Sequence, residues 1–358
     1  MTRTRIISCC IAAMALTLTG CGDSDNVTLQ GAGASFPAPL YQRWVTEYDS
    51  VVPDVQVNYE SVGSGAGIRA ITKKTSDFGA SDAPLNAQEL EAMGGAENVV
   101  EIPSVAGSVV LIYNLPDVEG DLRLTGELIA DIYLGKVTSW RDPRIAQLNP
   151  GLNLPDTTIT PVYRTDGSGT TFVFSSYLAT QSSEFKEAVG QPSKQVNWSV
   201  GQGGKGNEGV TQAVQQTQGG LGYVEDKYAK QNKQPTAAIR NRSGRFIRST
   251  PETVAAAGAG AADEMSGNIL AADIWNQPGE DAYPIAAFTY LIVYQDLNNL
   301  PTKQEAQHLA DFLWWATHDG QAIAKEMGYA PLAPKVQAKV EAALKTLNYK
   351  GEALSIGP

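Results

Sequence analysis

An open α/β sheet divided between two domains is the fold class this sequence predicts. Three observations point to it. The chain has 358 residues, too many for one ordinary core. Three strand-to-helix turns fall in its first third, two of them rich in Gly and Ser. A fourth turn of the same kind follows at residues 164–171. Open α/β sheets of this kind hold ligands beyond the carboxyl ends of their strands.

Taken in order, Val27–Gln30 reads as a short strand and Gly31–Pro37 as a turn. Pro37 and Pro39 suit the first turn of a helix, on which Leu40, Tyr41, Trp44, Val45 and Tyr48 recur at helical spacing. Val55–Tyr59 alternates like a strand, Ser61–Gly67 is a glycine-rich turn, and Ile68, Ala70 and Ile71 open a helix. Phe78–Ala80 is another short strand, ending at Ser81-Asp82-Ala83-Pro84. Asn86 with Glu89 three residues on predicts a capping box. Val109–Asn114 reads as a buried strand and Leu122–Leu134 as a helix with Leu128, Ile129, Ile132 and Tyr133 on one face. After Trp140 and the Asn149-Pro150-Gly151 turn comes a strand over Ile159–Tyr163. Gly201–Gly209 reads as a flexible loop leading into a helix over 210–218; it is not a P-loop, because Gly206 follows Lys205 where Ser or Thr is required. Gly222–Glu225 is a strand, and residues 236–273 look peripheral. Strand character returns at 283–294, then helices at 302–318 and 335–347.

The most informative stretch is Arg164-Thr-Asp-Gly-Ser-Gly-Thr-Thr-Phe172. It lies between a strand end and a helix start, where free backbone N–H groups attract an anion. The glycines admit close approach, the hydroxyls add donors, and Arg164 offers a forked pair of N–H groups to an oxyanion. The stretch therefore suits a small tetrahedral oxyanion. A capped helix with a surface Arg–Asp pair is the plainer alternative. Ser35 and the Phe36 amide stand at an equivalent helix start.

The chain begins with an address. Arg3 and Arg5 precede an apolar run from Ile6 to Leu18, and Leu18-Thr-Gly-Cys21 forms a lipobox. Residues 1–20 are expected to be a lipoprotein signal peptide, Cys21 the lipidated residue, and 21–26 a tether. An ordinary signal peptide with a chance cysteine is the alternative. The run is too short to span a membrane comfortably. Cys9, Cys10 and Cys21 are the only cysteines, so the exported body is expected to have neither disulfide nor thiol chemistry. The leader carries two Arg and no acid, so its removal takes the formal charge from −11 to −13. Such a surface disfavours nucleic acid and anionic lipid. A small anion would have to be captured by local, pre-aimed dipoles.

Catalytic parts are scarce. The only histidines, His308 and His318, sit in a late amphipathic helix with no cysteine near, which disfavours a metal site. Gly167-Ser168-Gly169 lacks the Gly-x-Ser-x-Gly elbow of a serine hydrolase. The balance favours binding over catalysis, and no cofactor is called for. A phosphatase, or an oxyanion sensor or adhesin, remains the alternative class.

Several stretches resemble the family of phosphate-binding proteins that serve ABC-type phosphate importers. They include Gly31-Ala-Gly-Ala-Ser-Phe-Pro-Ala-Pro39, Gly63-Ser-Gly-Ala-Gly67, Asp77-Phe-Gly-Ala-Ser-Asp-Ala-Pro-Leu85, Asp131-Ile-Tyr-Leu-Gly-Lys136, Asp166-Gly-Ser-Gly-Thr170 and Gly203-Gly-Lys-Gly-Asn207. Leu148–Leu152 and Gly222–Asp226 also match, and the stretches run from about residue 28 to 330 in the family's order. The resemblance implies a type II periplasmic-binding-protein fold, two α/β domains around a cleft, with crossover segments near 111–114 and 285–289. Domain I would comprise 27–111 and 286–358, and domain II 112–285. It implies ligand contacts from Ser35, the Phe36 amide, Ser64 and Asp82 on one side. From the other side would come Arg164, Ser168, the Gly169 amide and Thr170, with Asp166 orienting Arg164. Ser35 stands where the family often has Thr, and either supplies a hydroxyl. Asp82 as an ionised carboxylate can only accept, so it would take the proton of inorganic phosphate and exclude sulfate, which has none. The implied protein is a monomeric, exported, membrane-anchored receptor facing the periplasm or cell exterior, whose partners are an importer's permease and ATPase.

Overall fold

The computed structural model describes residues 27–118 and 120–357. The expected signal peptide, Cys21 and the tether lie outside the described residues. Thirteen strands are described: β1 Val27–Gly33, β2 Val55–Ser61, β3 Phe78–Ser81, β4 Val99–Tyr113, β5 Arg123–Leu124, β6 Thr160–Arg164, β7 Gln202–Gly204, β8 Gly220–Glu225, β9 Ala238–Arg240, β10 Phe246–Ile247, β11 Ala286–Tyr294, β12 Asn348–Tyr349 and β13 Glu352–Ala353. Around them lie α1 Ala38–Val51, α2 Ser64–Thr72, α3 Ala87–Ala92, α4 Gly126–Tyr133, α5 Pro143–Leu148, α6 Gly169–Gln181, α7 Ser183–Val189, α8 Gly206–Gln216, α9 Asp226–Gln231, α10 Pro251–Ala257, α11 Lys303–Thr317, α12 Gly320–Glu326 and α13 Pro334–Leu344.

Eight strands form one sheet in the order β2-β1-β3-β11-β4-β8-β6-β7. Two polarities within it decide where a ligand can sit. β1, β2 and β3 are mutually parallel, as are β6, β7 and β8. β11 runs antiparallel to both β3 and β4, and β8 runs antiparallel to β4. The long strand β4 serves both halves: Val99–Ser108 pairs with β11, and Val109–Tyr113 pairs with β8. The carboxyl ends of β1–β3 and of β6–β8 consequently point toward each other, across the middle of β4. Each set leads into helices whose free N–H groups face the same place.

Every residue of β4 and β11 is buried, as expected of strands covered on both faces. β4 contains Pro103, which cannot donate to a ladder. A bulge absorbs it: Val105 opposes Thr289 while Pro103 opposes Tyr290, leaving Ser104 as the extra residue. The principal apolar core runs through both halves. On the first half, Tyr41, Trp44 and Tyr48 of α1 are buried, and the Trp44 indole donates to the Gly320 carbonyl at 2.8 Å. Gly67 of α2 lies so close to Gly33 that a Cβ there would stand 2.3 Å from its Cα. The glycine-rich turn at 61–67 therefore serves close helix-to-strand packing.

The Asn86–Glu89 capping box is present, with both bonds at 3.0 Å. Other expectations need correction. The helix expected over 122–134 begins only at Gly126; Arg123 and Leu124 form β5, and Thr125 is the N-cap that separates them. The stretch 201–209 is not a loop. Residues 202–204 add an edge strand beside β6, and α8 starts at Gly206 rather than 210. The strand expected over 109–114 extends back to Val99 and stops at Tyr113. Residues 238–257 include β9, β10 and α10, and β9 and β10 join β5 in a separate sheet.

Candidate functional site

Three turns on the first half and two on the second meet at the middle of the sheet. After β1 the chain turns through Ser35 and Phe36 into α1, and the Phe36 N–H has no acceptor among the described residues. After β2, Gly63 at φ 89° turns the chain so that Ser64 is the first residue of α2. β3 ends at Ser81, which places Asp82 immediately beyond it. On the second half, Arg164 closes β6 and Ser168 caps α6, its Oγ accepting the Thr171 N–H at 3.0 Å. After β7, Asn207 lies in the first turn of α8.

The structure brings together every residue expected at the site. The Gly169 N–H donates to Ser64 Oγ at 3.1 Å, and the Asp82 N–H donates to the same oxygen at 3.3 Å. Thr170 Oγ1 donates to Asp82 Oδ2 at 3.5 Å and accepts from Arg164 Nη1 at 3.3 Å. Gly65 N–H meets the Gly167 carbonyl at 2.8 Å. In this arrangement Gly169 has no room for a side chain: a Cβ there would lie 2.6 Å from Ser64 Oγ and 2.7 Å from the Asp82 backbone nitrogen. Ser35, Phe36, Ser64, Asp82, Arg164, Ser168 and Thr170 are all buried.

Charge in the cluster is tightly arranged. Arg164 and Asp166 form a forked pair, Nε to Oδ1 at 2.8 Å and Nη2 to Oδ2 at 2.5 Å, and the Gly206 N–H adds a third bond to Asp166 at 3.0 Å. Burial works against both charges. The hydrogen bonds and attraction between them prevail, holding Arg164 above and Asp166 below its ordinary pKa. One Nη of Arg164 is thereby left toward Thr170 and Asp82. Asp82 is different: burial lifts it from 3.8 to about 7, against the lowering pull of the Thr289 hydroxyl, Arg164 and Thr170. One cation, its fixed counter-anion and one carboxyl group whose charge burial disfavours leave the dipoles to do most of the recognition.

Two contributors carry little signal in the sequence. Asn207 is fully buried; its Nδ2 reaches Ser35 Oγ at 2.8 Å and Thr170 Oγ1 at 3.4 Å, and its Oδ1 accepts the Glu225 N–H at 2.9 Å. Thr289, on β11, donates to Asp82 Oδ1 at 2.9 Å. Asn207 stands inside a glycine-rich run with the composition of a loop. Thr289 is a lone small hydroxyl residue in an otherwise apolar and aromatic strand, a visible but weak signal. The Tyr223 hydroxyl supports the turn from beneath, accepting the Arg164 N–H at 3.1 Å and bonding Thr171 Oγ1 at 2.7 Å.

Beside the cluster, past the Gly65–Gly167 contact, a groove of about 990 Å³ is lined by Ile68, Arg69, Leu85, Phe172 and Asp273 among others. Lys194 and Glu89 meet across it at 2.8 Å. The histidines take no part in the cluster: His318 stacks on Trp314 with ring centroids 3.8 Å apart.

Comparison with known proteins places this geometry in a lineage. The PBP superfamily domain matches residues 21–319. The chain is 44% identical to the phosphate-binding protein PstS of Xylella fastidiosa (strain 9a5c), covering 88% of this chain and 85% of that one. With the PstS protein of Pasteurella multocida it shares 41% identity over 89% and 90% of the two chains. The fold matches the crystal structure of a phosphate-binding protein from Stenotrophomonas maltophilia with a TM-score of 0.67, at 24% identity, over 90% of this chain and 95% of that one. Identity at this level over nearly the whole length shows that the chain belongs to the PstS family of phosphate-binding proteins, within the PBP superfamily, and is a binding protein rather than an enzyme.

Proposed function

We propose that the protein captures inorganic phosphate between its two halves and delivers it to an ABC phosphate importer. One observation carries this reading above the others. Groups from both halves meet around the buried Asp82: Thr170 bonds its Oδ2 and holds Arg164, and the Asp82 and Gly169 N–H groups share Ser64 Oγ, with Ser35, the Phe36 amide and Ser168 at the adjoining helix starts. That set matches a tetrahedral oxyanion that still carries a proton. The names of the relatives in Xylella and Pasteurella agree with it.

In this reading Asp82 accepts the phosphate proton. Sulfate offers no proton there and meets a carboxylate with nothing to relieve the repulsion. Each charge-assisted hydrogen bond contributes roughly 1.5–3 kcal/mol. Several of them offset an association cost of about 4–15 kcal/mol and leave micromolar binding or tighter. Domain I is residues 27–111 with 286–358, and domain II is 112–285; β4 and the start of β11 cross between them. A ligand touching both halves stabilises only the closed arrangement, and that arrangement is what a permease would recognise.

The protein acts as an exported monomer anchored through a lipid on Cys21. The lipobox at 18–21 supports the anchor. No helix among the described residues is long and apolar enough to cross a membrane. Titration calorimetry with phosphate, sulfate and arsenate tests the site. Tight phosphate binding with sulfate excluded is expected, and equal binding of the two oxyanions would end the proposal. Mass spectrometry of the membrane fraction, looking for diacylglycerol on Cys21, tests the anchor.

A further inference from the structure

Asp82 has two carboxylate oxygens, and they stand in unlike surroundings. Oδ1 takes the Thr289 hydroxyl at 2.9 Å, a normal bond, whereas Oδ2 faces Thr170 Oγ1 at 3.5 Å, a marginal one. Thr289 is fully buried and sits where β11 faces the β4 bulge. Its carbonyl accepts Ser104 Oγ at 3.1 Å, and Ser104 Oγ bonds the Tyr41 hydroxyl at 2.6 Å. The Ser104 carbonyl, freed from the ladder by the bulge, accepts Gln321 Nε2 at 2.9 Å. A buried polar chain thus fixes the backbone on which Thr289 stands, with no part of that chain among the expected ligand donors.

We infer that Thr289 is a specificity-determining positioning residue: its hydroxyl occupies Oδ1 of Asp82 as a donor and leaves Oδ2 as the one acceptor turned to the ligand. The inference rests on the proton-accepting role proposed for Asp82. Its chemical sense is direct. A neutral Asp82 would carry its own O–H and could donate it to sulfate, erasing the discrimination. A hydrogen bond donated to the carboxylate favours the charged form. Burial pushes the other way, so without the Thr289 hydroxyl the balance tips toward the acid. The titratable groups that sense Asp82 are Arg164 at the end of β6, Asp166 just after it, Tyr41 of α1, Tyr59 of β2 and Tyr290 of β11. Burial raises the three tyrosines above their ordinary range, which keeps them neutral. Arg164 alone among these groups is a cation, and Thr289 is the strongest of the influences that keep Asp82 ionised.

The test compares Thr289→Val, Thr289→Ala and Thr289→Ser with the parent chain. Phosphate and sulfate affinities are measured by calorimetry from pH 6 to 8.5, and the Asp82 carboxyl is titrated by 13C NMR. In Thr289→Val the phosphate-to-sulfate ratio should fall about tenfold or more near pH 7, the weight of one bond to a charged group. The Asp82 titration should move to higher pH, and Thr289→Ser should restore both. Thr289→Ala answers the same question if the valine variant does not fold. An unchanged ratio and titration in the folded variants, with Asp82→Asn still lowering the ratio, would overturn the role of Thr289 alone. An unchanged ratio in Asp82→Asn as well would overturn the Asp82 reading and this inference with it.

Discussion

The ammonium of Lys194 lies 2.8 Å from the Glu89 carboxylate, while the Lys194 carbonyl accepts the N–H of Ser168 at the same distance. One residue thereby holds the turn that begins α6 and reaches across the groove to α3 on the other half. Glu89 is itself anchored, since its Oε2 also accepts the Asn86 N–H in the capping box. Both side chains are mostly shielded, at 14% and 23% exposure, so the pair is worth more than a surface ion pair. If the two halves close on phosphate, this contact exists only in the closed arrangement. Lys194→Met should therefore weaken phosphate binding about 3- to 10-fold, chiefly through faster release, corresponding to about 1 kcal/mol. Stopped-flow release kinetics check it, and an unchanged off-rate would remove the latch.

The pH dependence of stability follows from Asp82. Its pKa rises from 3.8 in the unfolded chain to about 7 in the fold, mainly through burial. Between those values the folded state binds more protons than the unfolded one, so this group's contribution to stability falls as pH rises from about 4 to about 7 and is level beyond. Every tenfold change in proton affinity is worth about 1.4 kcal/mol, giving on the order of 4 kcal/mol as an upper bound. Glu101 and Glu225 are also raised by burial, so the parent curve alone does not isolate Asp82. Asp82→Asn does. Without phosphate, its stability should exceed the parent's by a margin that grows from pH 4 to pH 8, read from urea melts. A margin independent of pH would show that Asp82 does not titrate in this window.

How much of the site is written in the sequence differs from residue to residue. Arg164, Asp166, Ser168 and Thr170 are legible because their neighbours carry the signal: a strand end, a cap and a helix start leave little freedom for the turn between. The same logic reaches Ser35 and Ser64. The first ten residues of β4 are not legible. Glu101, Pro103, Ser104, Gly107 and Ser108 break any apolar alternation, yet the fold buries all of them, even though Glu101 Oε2 has no hydrogen-bond partner among the described residues. Glu101 takes the Leu85 N–H at 3.0 Å, and the bulge takes Pro103 and Ser104. Arg123 and Leu124 resemble the start of a helix because apolar spacing runs on past the true cap at Thr125. Asn207 is hidden by glycines that serve packing: a Cβ on Gly204 would lie 2.5 Å from the backbone of α8. Local pattern reports caps and faces. It does not report which distant residue completes a buried hydrogen bond.

Arg164 should be the least replaceable side chain at the site. Its Nε and Nη2 are committed to Asp166, which fixes the plane of the guanidinium and aims Nη1 at Thr170. Arg164→Lys keeps the charge but cannot hold Asp166 with two bonds and present a third donor in a set direction. Both Arg164→Lys and Arg164→Ala should lose at least ~100-fold in phosphate affinity by calorimetry, with the lysine variant only slightly better. A lysine variant within about tenfold of the parent would mean that charge matters there and geometry does not.

Gly169 offers the sharpest steric test, because the contact it makes spans the two halves. A methyl group there must stand within 2.7 Å of both Ser64 Oγ and the Asp82 backbone; the hydroxyl can turn aside only by giving up its bonds to Gly169 and Asp82, and the Asp82 backbone cannot retreat without moving the end of β3. Within its own helix, Gly169→Ala is favourable, since alanine gains about 1 kcal/mol over glycine in helix propensity, somewhat less in the first turn. The two effects separate cleanly. If the halves part when no ligand holds them, the variant should be as stable as the parent or more so without phosphate, while phosphate affinity falls at least ~100-fold because closure is blocked. Thermal melts with and without phosphate check both at once. A melting shift on adding phosphate equal to the parent's would show that Ser64 and Gly169 need not touch for the ligand to be held.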